Sequence, residues 1–568
     1  MPVRWPPIAR WLPAYRGADL RGDVVAGATT AAMLVPQSMA YALLAGLPPI
    51  VGLYAAIAPP AIYAVFGGSR KLAVGPVAMD SLLVAAVLGP LFAAQSDGYV
   101  AAAAMLALLV GAIQVGVGVL RLGFLVNFLS RPVISGFTSA AALVIGASQL
   151  GALLGLPLPA SQGLHTVLGG LLRSIDRVHL PTLALGLASL VALVLLARRP
   201  RLPRALLVLA GGALAAWALG LPAAGVAVLG PVPSGLPVPT WPEVPLETAR
   251  ALLPGAAAIA LLSFAEAISS GLAVCEPGEE LDADQELVAL GLANAGGGLL
   301  RGYPIAGGLS RTAVNAQAGA RTPLAGAVAA GLVAAALLVL TPLFAGLPKA
   351  VLSAIILTAV AGLVDTTLPR ELWRVRRREL AVLVITFLAT LFLGITTGLA
   401  LGVAASLGLF VLRTTRPHTA VLGRLPGTEV YRNVRRFPDA ETVPGLVLVR
   451  LDAQLYSANA AFLKDTIRRL VAEHPEPVRA VILDAGGIHD VDVSALAALR
   501  QIRGELAQRG QALYLADVKG PVRDLLARSG FMRELGREHL TFTVHEAVLR
   551  ATGGRTGPVD PRAHQFDR

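Results

Sequence analysis

The sequence predicts a polytopic α-helical membrane protein of fourteen spans, arranged as two inverted seven-span repeats, followed by a cytoplasmic α/β domain. Long apolar runs, a lopsided distribution of basic residues and a compositional break near residue 416 carry that prediction. Of the 568 residues, 55% are apolar and only 14% are charged, where a soluble domain carries about 25% charged residues. Mean hydropathy is +0.68. Ala101–Val119, Leu180–Ala197, Ala327–Leu340 and Leu380–Leu393 are nearly free of charge, and a span needs about 20 mostly apolar residues. This balance excludes a soluble enzyme, a disordered chain and a disulfide scaffold, and Cys275 is the single cysteine. The net charge of +12 does not point to nucleic acid, because Arg and Lys in such a chain first set orientation.

Residues 1–23 read as a cytoplasmic segment lying on the membrane, with Trp5, Trp11 and Tyr15 as interfacial rings. They lack the apolar run of a cleavable signal peptide. The membrane region, 24–416, holds seven spans near 24–45, 50–66, 72–92, 99–119, 124–153, 180–197 and 203–219. Seven more lie near 251–275, 284–299, 305–320, 323–342, 348–364, 379–396 and 398–415. With the N-terminus inside, cytoplasmic segments up to Arg416 hold 21 Arg and Lys. The opposite side holds five: Arg173, Arg177, Arg250, Arg301 and Lys349. That asymmetry places both termini in the cytoplasm. Residues 417–444 read as a linker, 445–552 as the α/β domain and 553–568 as a disordered tail.

Two pairs of breaks suggest the repeat. Pro36 interrupts span one and Gly75-Pro76 opens span three, while Glu266 lies in span eight and Gly307-Gly308 opens span ten. The offsets between the halves are 230 and 232 residues. An odd number of spans per repeat inverts the second copy, and paired broken helices point to a transporter's binding site. Each apolar stretch after these Gly and Pro residues is too short to cross, so two half-helices are expected to meet N-terminus to N-terminus. Unpaired N–H groups and a partial positive charge there form an anion site from backbone alone. The alternative for each is a kinked packing helix.

Arg311 follows the start of span ten. It is expected to line the site with a full positive charge, or else to pair with Glu266 or Asp80. Glu266 is the clearest intramembrane carboxylate, and such residues are functional by default. A carboxyl taken out of water can hold a proton near neutral pH, which suits a coupling role. Asp80 is a second candidate, expected to face the loop that carries Arg70 and Lys71. Gln37 and Tyr41 share one helix face just past Pro36, lining a pocket or joining helices.

These motifs resemble those of the sulfate permease (SulP) family, also called solute carrier family 26. Pro36-Gln37-Ser38-Met39-Ala40-Tyr41-Ala42-Leu43-Leu44-Ala45-Gly46 is similar to its first-span motif. Pro49-Ile50-Val51-Gly52-Leu53-Tyr54-Ala55-Ala56, closing with Gly67-Gly68-Ser69-Arg70, is similar to its signature, with Val51 where Tyr is usual. Ser310-Arg311-Thr312-Ala313-Val314-Asn315 and Ala318-Gly319-Ala320-Arg321-Thr322 resemble the tenth-span motif. The resemblance implies two inverted repeats, about 24–219 and 251–415, a core domain moving against a gate domain, and a homodimer. It implies an anion held between the third- and tenth-span half-helices, lined by Gln37, Tyr41, Val77, Ala78, Gly308, Leu309 and Ser310. Glu266 matches an eighth-span acidic position at which some relatives carry Asp and use sodium. Glu here, with Ser270 one turn on, leans toward protons.

Residues 445–550 resemble the family's STAS domain. Leu446–Leu451, Ala480–Leu483 and Ala512–Ala516 read as buried strands and Pro521–Arg528 as a helix, the alternation of a helix-covered parallel sheet. Ser or Asp in Asp490-Val491-Asp492-Val493-Ser494 is available as an N-cap. No metal-binding or nucleophilic constellation appears, and His489 is isolated, so neither a cofactor nor enzymatic activity is expected. The expectation is a secondary active anion transporter of a bacterial inner membrane, moving sulfate first, then bicarbonate or dicarboxylate, by alternating access. H+ is the expected coupling ion, with Na+ next, and the lipid bilayer and a second copy are the partners. An uncoupled channel or exchanger, and a membrane-anchored anion sensor signalling through the STAS domain, are the alternatives.

Overall fold

The computed structural model describes residues 6–124, 130–156, 164–199, 203–230, 233–276 and 279–554. Expectations for Arg4, Trp5, Arg201 and the tail from 555 onward lie outside the described residues. The chain divides into two compact units, Met1–Ser406 and Leu407–Arg568.

The first unit is helical. Its principal helices are α1 (Gly17–Leu44), α2 (Pro49–Phe66, with a turn at 55–57), α3 (Ala78–Leu88), α4 (Asp97–Val119), α5 (Arg131–Leu154), α6 (Leu180–Leu196) and α7 (Arg204–Ala218). There follow α8 (Leu246–Leu272), α9 (Ala283–Leu299), α10 (Leu309–Gln317), α11 (Leu324–Val339), α12 (Lys349–Ala361), α13 (Arg377–Leu393) and α14 (Ile395–Thr415), which runs into the second unit. A helix thus occupies each stretch read as a span. Five helical stretches among the described residues are long and apolar enough to cross a membrane alone: α2, α4, α5, α8 and Thr397–Thr415. A bent pair, Gly169–Arg177 with Leu180–Leu196, adds a sixth. α1 is long, at 28 residues, but carries charged residues in its first turns, and of the principal helices α3 and α10 are the shortest, as the Gly and Pro breaks dictate.

α4 and α9 pack backbone to backbone. A Cβ on Gly111 would lie 2.5 Å from the Gly291 carbonyl oxygen, and one on Gly291 would lie 2.7 Å from the Gly111 carbonyl oxygen. Only hydrogen at both positions lets the backbones touch, the close approach that small residues give membrane helices. Buried carboxylates fix other joints. Glu286 of α9, fully buried, accepts from Tyr63 Oη at 2.7 Å, Gly68 N at 2.6 Å and Ser69 N at 3.0 Å. Asp23 of α1 accepts from Arg321 N at 2.8 Å, Thr322 N at 3.0 Å and Thr322 Oγ1 at 2.6 Å, which ties α1 to the start of α11. A buried charge is tolerated only with such a full set of donors.

The second unit is a six-stranded sheet. Its strands are β3 (Thr419–Arg424), β4 (Tyr431–Asn433), β5 (Leu446–Leu451), β6 (Ala480–Asp484), β7 (Ala512–Ala516) and β8 (Leu540–Thr541), in the order β4-β3-β5-β6-β7-β8. Strands β5 to β8 are parallel, and β3 and β4 pair antiparallel. Val447, Val449, Leu451, Val481 and Leu483 face α15 (Ser457–Ala472) and α16 (Val493–Gln508). Leu446, Leu448, Ala480 and Ile482 face the other way, onto Ala547 and Val548. Burial on both faces is why these strands are continuously apolar. Asp492 caps α16 by accepting from Ala495 N at 2.7 Å. The expected linker 417–444 is corrected: it supplies β3 and β4. Ala420-Val421-Leu422 is an apolar run of only three residues, bounded by Thr419 and Gly423, and is shorter than the runs that marked the central strands.

Gly111→Val is expected to lower stability by about 1–3 kcal/mol through overpacking at the α4–α9 contact. Gly116→Ala on the same helix, whose Cβ would meet nothing within 4 Å, is expected to be neutral. Thermal unfolding of the purified variants checks the contrast.

Candidate functional site

Two short strands precede the half-helices. β1 (Val74–Gly75) pairs antiparallel with β2 (Ala306–Gly307), in the register Val74↔Gly307 and Gly75↔Ala306. Two glycines make the crossing possible. Gly75 has φ +152°, and a Cβ on Gly307 would lie 2.9 Å from the backbone of Ala267 in α8. Side chains then hold the strand backbone. Ala73 N donates to Thr312 Oγ1 at 3.0 Å, and Asn315 Nδ2 donates to Lys71 O at 2.9 Å. On the other strand, Ile305 N donates to Asn294 Oδ1 at 2.8 Å and Ser270 Oγ donates to Gly307 O at 3.2 Å. Asn294 Nδ2 in turn donates to Gln114 Oε1 at 3.0 Å, and Gln114 Nε2 donates to Ser263 Oγ at 2.8 Å.

The helices leave this crossing without side-chain caps. Val77 and Gly308 are the N-cap residues of α3 and α10, both extended, and no side chain accepts from the first turn of either helix. The initial N–H groups of a helix have no intrahelical acceptor, so both ends keep donors for an outside group. Val77 and Ala78 are buried, whereas Leu309 is 59% exposed and Ser310 is exposed too. The crossing therefore has one accessible edge.

Charged and phenolic groups gather around it. Arg311 is 2% exposed. Its Nη1 donates to Pro76 O at 2.6 Å and its Nη2 lies 3.5 Å from Ala73 O, while Nε has no acceptor. The expectation of an ion pair with Glu266 or Asp80 is corrected: among the described residues Arg311 bonds instead to carbonyls of the β1 segment. Its guanidinium packs on Gly308, where a Cβ would lie 2.9 Å from Nη2. Glu266 of α8 is half-buried and lies within electrostatic reach of Arg311 and Tyr41. Gln37 is 7% exposed and Tyr41 6%, both on α1, which packs against α3 and α10. The predicted residues Gln37, Tyr41, Val77, Ala78, Glu266, Ser270, Gly308, Leu309, Ser310 and Arg311 therefore all lie on the crossing or on helices packed against it.

Asp80 is a second correction. It is fully buried with no partner at either carboxylate oxygen, and Glu266 is its charged neighbour. Arg70 and Lys71 pair with Glu279 and Glu276 instead. Tyr303 was missed. It is fully buried, its Oη lies 3.0 Å from Ser81 Oγ, and Asp80, Tyr41 and Arg311 are within electrostatic reach. Its position beside Pro304, at the mouth of a broken span, was the available signal. Asn294, Gln114 and Thr312 were also missed, and single polar residues inside apolar spans were the sign.

Residues 20–386 match the sulfate permease family, and residues 437–547 match the STAS domain. The chain is 38% identical to sulfate transporter 4.1, chloroplastic, of Arabidopsis thaliana, covering 95% of this chain and 82% of that one. It is 39% identical to a probable sulfate transporter of Mycobacterium tuberculosis, covering 96% of this chain and 97% of that one. Its fold matches the murine solute carrier 26 family member A9 anion transporter in the inward-facing state. That match has a TM-score of 0.88 at 26% identity and covers 96% of this chain and 94% of that one. The transmembrane domain of a cyanobacterial bicarbonate transporter shares the fold of the membrane unit, with a TM-score of 0.59 at 24% identity. It covers 69% of this chain and 99% of that one.

Arg311→Met is expected to cost about 1–3 kcal/mol, because it leaves the buried Pro76 carbonyl without its donor. Thr312→Ser keeps the acceptor for Ala73 N and is expected to cost about 0.8 kcal/mol, the lost methyl. Unfolding midpoints measured side by side check this, and equal losses would deny Arg311 its role in holding the crossing.

Proposed function

The chain belongs to the sulfate permease family: it is a multi-pass membrane protein that transports anions and carries a STAS domain. On that premise we propose that the anion binds between the N-termini of α3 and α10. The observation that carries this reading is the pair of half-helices, free of side-chain caps, brought end to end by β1 and β2. Val77, Ala78, Gly308, Leu309 and Ser310 supply backbone donors and the rim, Gln37 and Tyr41 the facing wall, and Arg311 a buried positive charge. Sulfate is the first substrate, in line with the relatives' names, followed by bicarbonate or a dicarboxylate. Backbone N–H groups do not select one oxyanion over another.

The wider arrangement is fourteen spans in two inverted repeats, a core domain alternating its access against a gate domain, as a homodimer in a bacterial inner membrane. Equivalent strands from the two halves pair antiparallel, as a two-fold axis in the membrane plane requires. The distribution of Arg and Lys favours both termini in the cytoplasm. The α/β domain, whose sheet begins with β3, regulates transport or assembly and does no chemistry.

Glu266 couples transport to protons. Protonation removes a negative charge near the anion, so proton and anion binding favour each other and, by linkage, affinity rises as pH falls through the titration of this group. Sodium coupling is the second reading. Ser270 Oγ, held on Gly307 O at 3.2 Å, gives with the Glu266 carboxylate a set of oxygens suited to a hard cation.

In proteoliposomes, Glu266→Gln is expected to retain anion exchange, flatten its pH dependence and abolish uphill uptake driven by a proton gradient. Wild-type uptake of labelled sulfate, bicarbonate and succinate, with trans-acceleration by internal anion, identifies the substrate. Unchanged concentrative uptake in Glu266→Gln would remove the coupling role from this residue. Uptake that requires sodium would select the second reading.

A further inference from the structure

A cavity of about 890 Å³ lies among the C-terminal ends of α1, α3 and α5 and the N-terminal ends of α4 and α12. Leu82, Ala85 and Ala86 of α3 form one wall, and Leu82 is one turn from Ala78, roughly 6 Å along the helix at 1.5 Å per residue. The cavity thus ends about one helical turn from the half-helix terminus at the crossing. Among the described residues its lining includes a single charged residue, Lys349 at the start of α12, and no carboxylate. None of the ion pairs among the described residues involves Lys349. The polar groups beside it are engaged elsewhere. Gln149 Nε2 donates to Ser148 Oγ at 3.0 Å, Ser148 Oγ donates to Ile145 O at 2.7 Å, and Gln149 Oε1 accepts from Ser353 Oγ at 3.1 Å.

We propose that this cavity is the anion vestibule on the side that the Arg and Lys distribution reads as non-cytoplasmic, and that Lys349 is the charge that draws small oxyanions into it. The proposal rests on the anion-transport reading and adds a second, weaker anion site to it. The basis is electrostatic. A cleft with low-dielectric walls and charge of one sign concentrates counter-ions and raises their arrival rate. Here the walls are mainly apolar, and among the described lining residues the one charge is positive and meets no carboxylate. Because Ser148 and Gln149 already bond to their neighbours, the ammonium is the anion's strong partner there. That arrangement attracts without retaining, as a vestibule feeding a deeper site requires. The charge distribution along the chain agrees, since Lys349 is one of only five basic residues on its face, and it is the one of those five that lines this cavity.

The test measures initial rates for sulfate, bicarbonate and succinate in proteoliposomes, with anion supplied to one face at a time. Protease access to the α/β domain reports orientation. For the anion carried, Lys349→Gln is expected to raise KM about three- to ten-fold at the non-cytoplasmic face, with kcat unchanged and with the salt dependence of kcat/KM flattened, as loss of steering predicts. Lys349→Glu is expected to exceed that effect and Lys349→Arg to restore wild-type behaviour, while KM at the cytoplasmic face stays unchanged in all three. A wild type that moves none of these anions overturns the transport reading and this proposal with it. Transport by the wild type with unchanged outer KM in Lys349→Gln and Lys349→Glu overturns this proposal alone, as do equal shifts at both faces.

Discussion

Backbone N–H and C=O groups inside a bilayer have no water to bond, so any break in a membrane helix must be satisfied by protein. The two breaks before α3 and α10 meet this constraint by satisfying each other. Two residues from each side pair as β1 and β2, and every other feature of the site follows from that economy. The strands are too short to hold their register alone, so Thr312, Asn315, Asn294 and Ser270 bond their flanking backbone. The glycines are there because α8 and the Arg311 guanidinium come within reach of any Cβ. What remains unpaired is the first turn of each half-helix, and it is the part a ligand can use.

Arg311 illustrates how a charge serves such a site without confronting it. A guanidinium presents several donors in a planar fork, and here one side of that fork is spent on the Pro76 carbonyl. The cation therefore stays fixed beneath the crossing as part of its framework. An ion pair with Glu266 would have neutralised both partners, leaving neither a field for the anion nor a carboxyl free to change its charge. Holding Arg311 on neutral carbonyls keeps both properties available within one buried cluster.

Much of this was legible in the sequence, because breaks in apolar runs are strong signals. The Gly75-Pro76 and Gly307-Gly308 interruptions located the crossing, and Glu266 stood out as a carboxylate in an otherwise apolar helix. Direction was harder to read. Asp80 lies next to a charged loop in sequence, but its place on the first turn of α3 points it inward, and sequence distance carries no information on helix rotation. Tyr303 and Asn294 act through partners such as Ser81 and Ile305, which no local pattern reveals. The strands in 417–444 escaped because β4 is a short edge strand and β3 has an apolar run of only three residues, whereas β5 to β7 are buried on both faces and declare themselves by composition.

The glycine contact between α4 and α9 has a mechanical consequence. Two backbones in van der Waals contact cannot slide past each other without separating, so these helices behave as one beam. Asn294 fastens β2 to that beam, and Gln114 fastens α8 to it. The crossing is thereby welded to α4, α8 and α9 and has no freedom to flex by itself. On the reading proposed above, exposure of a bound ion to first one side and then the other falls to the beam as a whole, moving past neighbouring helices. Compliance is then displaced from the crossing to the seams around it.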